Sequence, residues 1–331
     1  MLSREADHCF WLGRYMERAE ATARMLDVHF HAGLEAGSHL AAGDVMTRVF
    51  GWESILAISG DAETFHEKHA EVNDRNVLEF FGFDQDHPNS ILSCLSQARD
   101  NARAIRDQVA TELWQVLNAS WLRLRDWNPD RVLHETPGAW FQAVKDASHL
   151  FRGVVARTLP RGEARDWIEM GVALERGGQT ARLVDVKYHD LLPGVPEQRP
   201  VGDPLGVGGP LDLHGWATVL RSVSGYEIFR RTYQVGLRPD RVVEFLLLHP
   251  EFPASLRHCV LSLEERLHRM TDGHVDHPKN ECDRLVGKLR ADLAYARADE
   301  IILGGLHEFL EDVQDRLDRV GASLIRQYLM V

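Results

Sequence analysis

The sequence predicts an all-α fold, a multi-helix bundle built from two quasi-equivalent halves by tandem duplication. Apolar residues recur with helical spacing along most of the chain, strand-like alternation is nearly absent, and one long segment returns later in recognisable form. The segment Leu12–His31, LGRYMERAEATARMLDVHFH, reappears without a gap as Met170–His189, MGVALERGGQTARLVDVKYH, at an offset of 158. From Ser3 to His31, 11 of 29 positions match their counterparts, where average residue usage gives about two. A second block follows in the same order, Val77–Leu95 matching Val242–Val260 at an offset of 165, with Val77, Glu79, Phe80, Pro88, Ser90 and Cys94 identical. Between them, WESILAISG from Trp52 resembles WATVLRSVSG from Trp216 with one residue inserted. The halves meet at the helix-stopping turn Leu159–Gly162, which gives units 1–160 and 161–331. Repeated units of this kind bury a shared face, so the two halves are expected to form one compact body.

Each helix has its own signal. Over Leu2–His31, the residues Leu12, Tyr15, Met16, Ala19, Ala23, Leu26 and Phe30 fall in one arc at 100° per residue, the mark of an amphipathic helix. The same period runs through Ile91–Leu117, Ala139–Leu159, Leu256–Met270, Leu285–Ile302 and Leu306–Met330. Pro88, Pro129, Pro137, Pro250 and Pro253 stand at helix starts or in connections, where a missing donor is tolerated. The stretch Leu191–Pro210 reads as one long irregular loop, longer than its counterpart Gly33–Gly43.

Composition narrows the function classes. Of 331 residues, 44% are apolar and 27% charged, enough for a substantial core. The balance of 38 Lys and Arg against 50 Asp and Glu gives a net charge of −12, which argues against nucleic acid as a partner. Cys9, Cys94, Cys259 and Cys282 are scattered with no CxxC spacing, as expected of free thiols in a cytoplasmic protein. The charged N-terminal segment has no signal-peptide pattern and no run approaches a membrane span.

The matching helices carry the candidate chemistry. Glu17, Arg24, Asp27 and His31 lie within roughly 80° of arc opposite the apolar stripe, and the second copy repeats them as Glu175, Arg182, Asp185 and His189. Their spacing predicts a ladder with Arg24 between Glu17 and Asp27, and His31 reached from Asp27. Arg18 and Arg176 leave that arc and are expected to point elsewhere. Two readings follow. In one, paired Glu and Arg residues form a buried network that fixes how the halves meet. In the other, Arg18, Arg24, Arg176 and Arg182 bind an anion or carboxylate while Glu17 or His31 moves a proton.

Other clusters carry less. Glu63–His69 contains ExxH and HxxH, and Asp272–Cys282 gathers His274, Asp276, His277 and Cys282, but neither recurs in the other half or supplies a closed ligand set, so no metal is expected. The glycines of Gly202–Pro210 lack the GxxxxGK[ST] pattern and a preceding strand, so no nucleotide cofactor is expected. A second basic feature groups Tyr226, Arg230, Arg231 and Arg238; helical spacing puts Tyr226 and Arg230 on one face, and a packed tyrosine with solvated arginines accounts for it.

The opening MLSREADHCFWLGRYMERAEATARMLDV, with Glu17 and Arg18, resembles the signature of the alpha-E family, named for a Glu-Arg motif. WATVLRSVSGYEIFRR and LRPDRVVEFLLLHPEFPASLRHC resemble it too, so the likeness covers nearly the whole chain. The resemblance implies an all-helical bacterial protein associated with a circularly permuted ATP-grasp protein and a transglutaminase-like protease, in the making or trimming of amide-linked peptides. It implies no catalytic residue. Gly177 and Gly178 stand where the first copy has Ala19 and Glu20, so the two faces need not be equivalent. The expected role is an accessory subunit that docks an ATP-grasp amide ligase and helps position a peptide or amino-acid substrate. The alternative is an enzyme acting on an amide or carboxylate through the Glu17, Arg24 and His31 face, for which a pocket lined by both Arg24 and His31 would speak.

Overall fold

The computed structural model describes residues 1–37, 51–135, 137–191, 210–234, 236–271 and 278–329. Every regular element among them is helical: α1 (Ser3–Gly37), α2 (Trp52–Ser59), α3 (Ala62–Lys68), α4 (Asp74–Leu78), α5 (Ile91–Ala104), α6 (Thr111–Arg125), α7 (Pro129–His134), α8 (Pro137–Thr158), α9 (Glu163–Leu191), α10 (Pro210–Ser222), α11 (Tyr226–Thr232), α12 (Pro239–Val243), α13 (Leu256–Thr271), α14 (Glu281–Tyr295) and α15 (Ala298–Leu324). Single π-helical turns follow α4, α12 and α15, at Glu79–Phe83, Glu244–Leu248 and Ile325–Leu329.

The two matching segments form α1 and α9, which pack against each other at the centre. Glycine sets how closely. A Cβ on Gly13 would lie 2.1 Å from the Ile168 carbonyl oxygen, and one on Gly171 would lie 2.1 Å from the Phe10 carbonyl oxygen. These two glycines occupy equivalent positions of the matching segments, so each helix brings its bare backbone against the other. Around this crossing, α1 packs on α5 and α8 with α6 completing the ring. On the other side α9 packs on α13 and α15, and α14 completes that ring. The apolar stripe expected on α1 is inside: Leu12, Met16, Ala19, Ala23 and Leu26 are at most 1% exposed.

The second matching block is built alike in both places. Each π-helical turn presents a buried Phe, Phe80 or Phe245, edge-on to Phe65 (5.3 Å) or Phe229 (5.6 Å). The same ring stacks on His87 (4.1 Å) or Phe252 (4.3 Å). Ser90 caps α5 by accepting from the Ser93 amide, and Ser255 accepts likewise from the His258 amide at the start of α13. Cys94 and Cys259 sit one turn inside, each 3.7 Å from the carbonyl of Pro88 or Pro253. Burial pushes all four thiols up to about 12, so they are inert core residues.

Two sequence expectations change at the element level. The run Ile91–Leu117 is two helices, reversed over residues 105–110, where Ile105 and Val109 tuck into the core. The run Leu285–Ile302 likewise divides at Ala296 and Arg297. The turn at Leu159–Gly162 falls between α8 and α9 as expected. Residues 192–209, which include the glycines of Gly202–Pro210 up to Gly209, lie outside the described residues, as do His274, Asp276 and His277. Among the described residues no helix is long and apolar enough to cross a membrane.

Candidate functional site

At the crossing, the Glu-Arg pair of each matching segment reaches for the pair of the other. Arg176 binds Glu17 through two parallel bonds, Nε to Oε1 at 2.7 Å and Nη2 to Oε2 at 2.8 Å. Arg18 binds Glu175 in the same fork, Nε to Oε1 at 2.7 Å and Nη2 to Oε2 at 2.9 Å. Both glutamates are buried, at 6% and 5% exposed. Arg18 and Arg176 therefore point away from the other candidates of their own helix, as expected. They leave the arc of Glu17 and Glu175 on their own helix because they cross to the other one.

The two pairs are not electrostatically alike. Burial alone would raise Glu175, but Arg18 and Arg14 hold it down to about 2, with help from Gln179. Arg14 donates its Nε to Glu175 at 2.9 Å. Burial pushes Glu17 up from the ordinary range; Arg176 opposes the shift, while the charges of Glu20 and Glu175 add to it. Arg18 and Arg176 are both raised by their glutamates against the effect of burial, so both stay charged.

The proposed ladder along α1 is also rearranged. Arg24 does not bridge Glu17 and Asp27; it donates Nε (2.9 Å) and Nη2 (2.6 Å) to Glu20 Oε1, one turn earlier. Its remaining bonds go to Ser224 Oγ through Nη1 (2.6 Å) and to His149 Nε2 through Nη2 (2.9 Å). Asp27 takes Lys145 Nζ at 2.7 Å. His31 is reached from Asp27 as expected, with Nδ1 3.1 Å from Oδ1 and 2.8 Å from the Asp27 carbonyl oxygen. At 57% exposed, however, the His31 side chain stands apart from Glu17 and Arg24.

The partners that sequence reasoning missed come mostly from α8. Arg152 Nη2 donates to both Glu17 Oε2 and Glu20 Oε2, the second at 3.0 Å. Ser148 Oγ donates to Glu20 Oε2 at 2.6 Å. Lys145, Ser148, His149 and Arg152 are spaced i, i+3, i+4 and i+7, a polar stripe that meets Glu17, Glu20, Arg24 and Asp27 in antiparallel order. That stripe was legible as a spacing in the sequence of α8.

Among the described residues the network around Glu20 has no equivalent on α9. Gly178 replaces Glu20, and among the described residues Arg182 makes no hydrogen bond or ion pair. Asp185 takes His307 Nδ1 from α15 at 2.8 Å, which raises that histidine. The His189 side chain lies outside the described residues. Tyr226 and Arg230 share a face as expected, the guanidinium 5.9 Å from the ring, with Arg221 at 5.1 Å. Arg230 and Arg231 are exposed, and Arg238 pairs with Asp240 at 3.0 Å.

Among the described residues several cavities flank the crossing, two of them of substantial volume. The larger, about 850 Å³, has a polar end formed by Glu17, Glu20, Arg24, His149, Arg152 and Arg176, and walls that include Leu183, Ile228 and Phe252. Its lining includes Arg24 but not His31. The other, about 460 Å³, is lined by Arg18, Thr22, Asn89, Arg182 and Asp185 among others. Ser224, the one non-glycine residue with a positive φ (54°) among the described residues, places its hydroxyl on Arg24 at the edge of the larger cavity. Among the described residues no group of three or more His, Cys, Asp or Glu side chains could hold a metal ion.

A buried, reciprocal Glu-Arg exchange inside an all-helical chain is the setting in which the comparison with known families becomes informative. The model of Alpha-E, described as a predicted alpha-helical domain with a conserved ER motif, matches residues 1–329. The chain belongs to the Alpha-E family. It is also similar to uncharacterized proteins of Mycobacterium bovis (Mb2597) and of Mycobacterium tuberculosis strains CDC 1551 (MT2643) and H37Rv (Rv2567), each 23% identical over 95% of this chain. The chain spans about a third of the length of these relatives, 36%. No solved structure matches it.

Proposed function

We propose that this Alpha-E chain is the accessory helical subunit of a bacterial amide- or peptide-forming system, docking an ATP-grasp ligase and helping to position a peptide or amino-acid substrate. The observation that carries this reading is the larger cavity, where three guanidiniums gather beside an apolar wall next to the Glu-Arg exchange. Arginine is suited to holding a carboxylate in a fixed orientation. Activating a carboxylate requires a nucleotide, which the ATP-grasp partner supplies, so the work is divided between the two proteins. The greater length of the mycobacterial relatives fits a module that works beside other units. Glu17, Arg24 and His31 do not meet, which weighs against these three as a catalytic centre.

The same reading takes the chain as a cytoplasmic protein of two duplicated halves, 1–160 and 161–331, related across the α1–α9 crossing. The reciprocal Gly13–Gly171 contact, the exchanged Glu-Arg pairs and the two alike aromatic clusters support it. The test is co-purification with a circularly permuted ATP-grasp protein from the same organism, with and without ATP, followed by an amide-formation assay. The isolated chain is expected neither to hydrolyse ATP nor to form amides. Adding the partner should give ATP-dependent amide formation that Arg24→Ala weakens, and a partner fully active without this chain would remove the proposed role.

A further inference from the structure

Arg152, which lines the larger cavity, carries donors that its own network leaves unused. Among the described residues Arg152 donates only through Nη2, to Glu17 and Glu20. Its Nε is buried with no partner, and its Nη1 makes no bond among the described residues. A buried guanidinium N–H without an acceptor is costly and uncommon in a folded protein. The charge count points the same way. The polar end brings together Arg24, Arg152 and Arg176 against Glu17 and Glu20, an excess of one positive charge, while Glu251 at the rim is exposed to solvent. Beyond this end the wall is apolar, with Leu183 and Phe252 buried and Ile228 41% exposed. A cavity of about 850 Å³ lies in the range of small-molecule sites.

We propose that this cavity binds a small monocarboxylate with an apolar body, its carboxylate held by Arg152 and Arg24 and its body against Ile228, Leu183 and Phe252. A single negative charge completes the count at the polar end, where a phosphate dianion would overshoot it. This deepens the accessory reading by naming the substrate class of the same site. A carboxylate held between guanidiniums is masked from activation, so in amide formation the bound molecule is the amine-bearing acceptor, such as an apolar amino acid or a peptide ending in one. The smaller cavity does not share the site: it lacks counterparts of Arg152 and Glu20.

The experiment is calorimetric titration of the intact chain with N-acetyl-L-leucine and with N-acetyl-L-leucinamide, which differ in the charge of one group. The acid should bind saturably and the amide about tenfold more weakly or worse, as expected for loss of charge-assisted bonds. Ile228→Trp fills the apolar wall without touching an ion pair and should weaken the acid while leaving the melting temperature in place. Arg152→Gln should remove the preference for acid over amide, and Arg182→Gln in the smaller cavity should change nothing. Equal binding of acid and amide, or no saturable binding of either, overturns the proposal. Because the ligase is absent from this titration, a chain that binds the acid but does not support its partner sinks the accessory role alone. A chain that supports its partner without binding the acid sinks the ligand assignment alone.

Discussion

The two Glu-Arg exchanges at the α1–α9 crossing use the same residues in mirrored roles and end in opposite electrostatic states. Glu175 is held down to about 2 by Arg18 and Arg14. Glu17 is pushed up by burial, with Glu20 and Glu175 close enough to add to the shift. Helix α1 has a second glutamate, Glu20, and a matching stripe on α8, whereas α9 has Gly178 at the matching position and leaves Arg182 unpaired among the described residues. The difference teaches that one exchange is a closed lock that holds its glutamate ionised, while the other is part of a larger charged network that opens onto the cavity.

Breaking the lock should have the largest effect. Glu175→Ala leaves Arg18 and Arg14 facing a buried vacancy and is expected to cost about 3 to 5 kcal/mol in urea unfolding. Glu17→Ala should cost less, about 1.5 to 3 kcal/mol, because Glu20 still engages Arg152. The pH dependence sharpens the contrast. Glu175, with a folded pKa near 2 against an ordinary 4.5, contributes stability that is present above about pH 4.5 and lost as pH falls toward about 2. Glu17 has the opposite sign: its folded pKa is raised, so its ionisation costs stability as pH rises through that value. Glu175→Gln should flatten the acid limb of a stability-against-pH curve, and Glu17→Gln should leave that limb in place.

The glycine contact should behave alike on both sides, and with a smaller effect. Gly13→Ala and Gly171→Ala each set a Cβ against a backbone oxygen at 2.1 Å, so α1 and α9 must separate. Each change is expected to cost about 1 to 3 kcal/mol by thermal or urea unfolding, in nearly equal measure. A large inequality between the two would mean that the crossing is not reciprocal.

Much of this was legible in the sequence. The 3.6-residue period located α1, α8 and α13, and self-comparison located α9 and singled out Glu17, Arg18, Glu175 and Arg176 before any packing was known. The arc argument sent the two arginines off the shared face but could not name their target, because it treats each helix alone. With α5, α8 and α9 all packed on α1, a side chain off the apolar stripe still meets a neighbouring helix. The stripe Lys145, Ser148, His149 and Arg152 was visible as spacing, yet its partner could be chosen only by the antiparallel placement of α8 on α1. The reversals at 105–110 and at Ala296–Arg297 carry neither Pro nor Gly, so nothing local announced them. The cavity itself is assembled from residues such as Glu17 and Phe252, far apart in sequence, and no local pattern encodes it.

The central claim is that each Glu-Arg motif closes on the motif of the other helix. A double-mutant cycle measures it directly, using urea unfolding of the unaltered chain, Arg18→Gln, Glu175→Gln and the double variant at neutral pH and fixed salt. The exchange predicts a coupling energy between Arg18 and Glu175 of about 0.5 to 3 kcal/mol. Effects that add to within about 0.3 to 0.5 kcal/mol, the behaviour of distant sites, would contradict it.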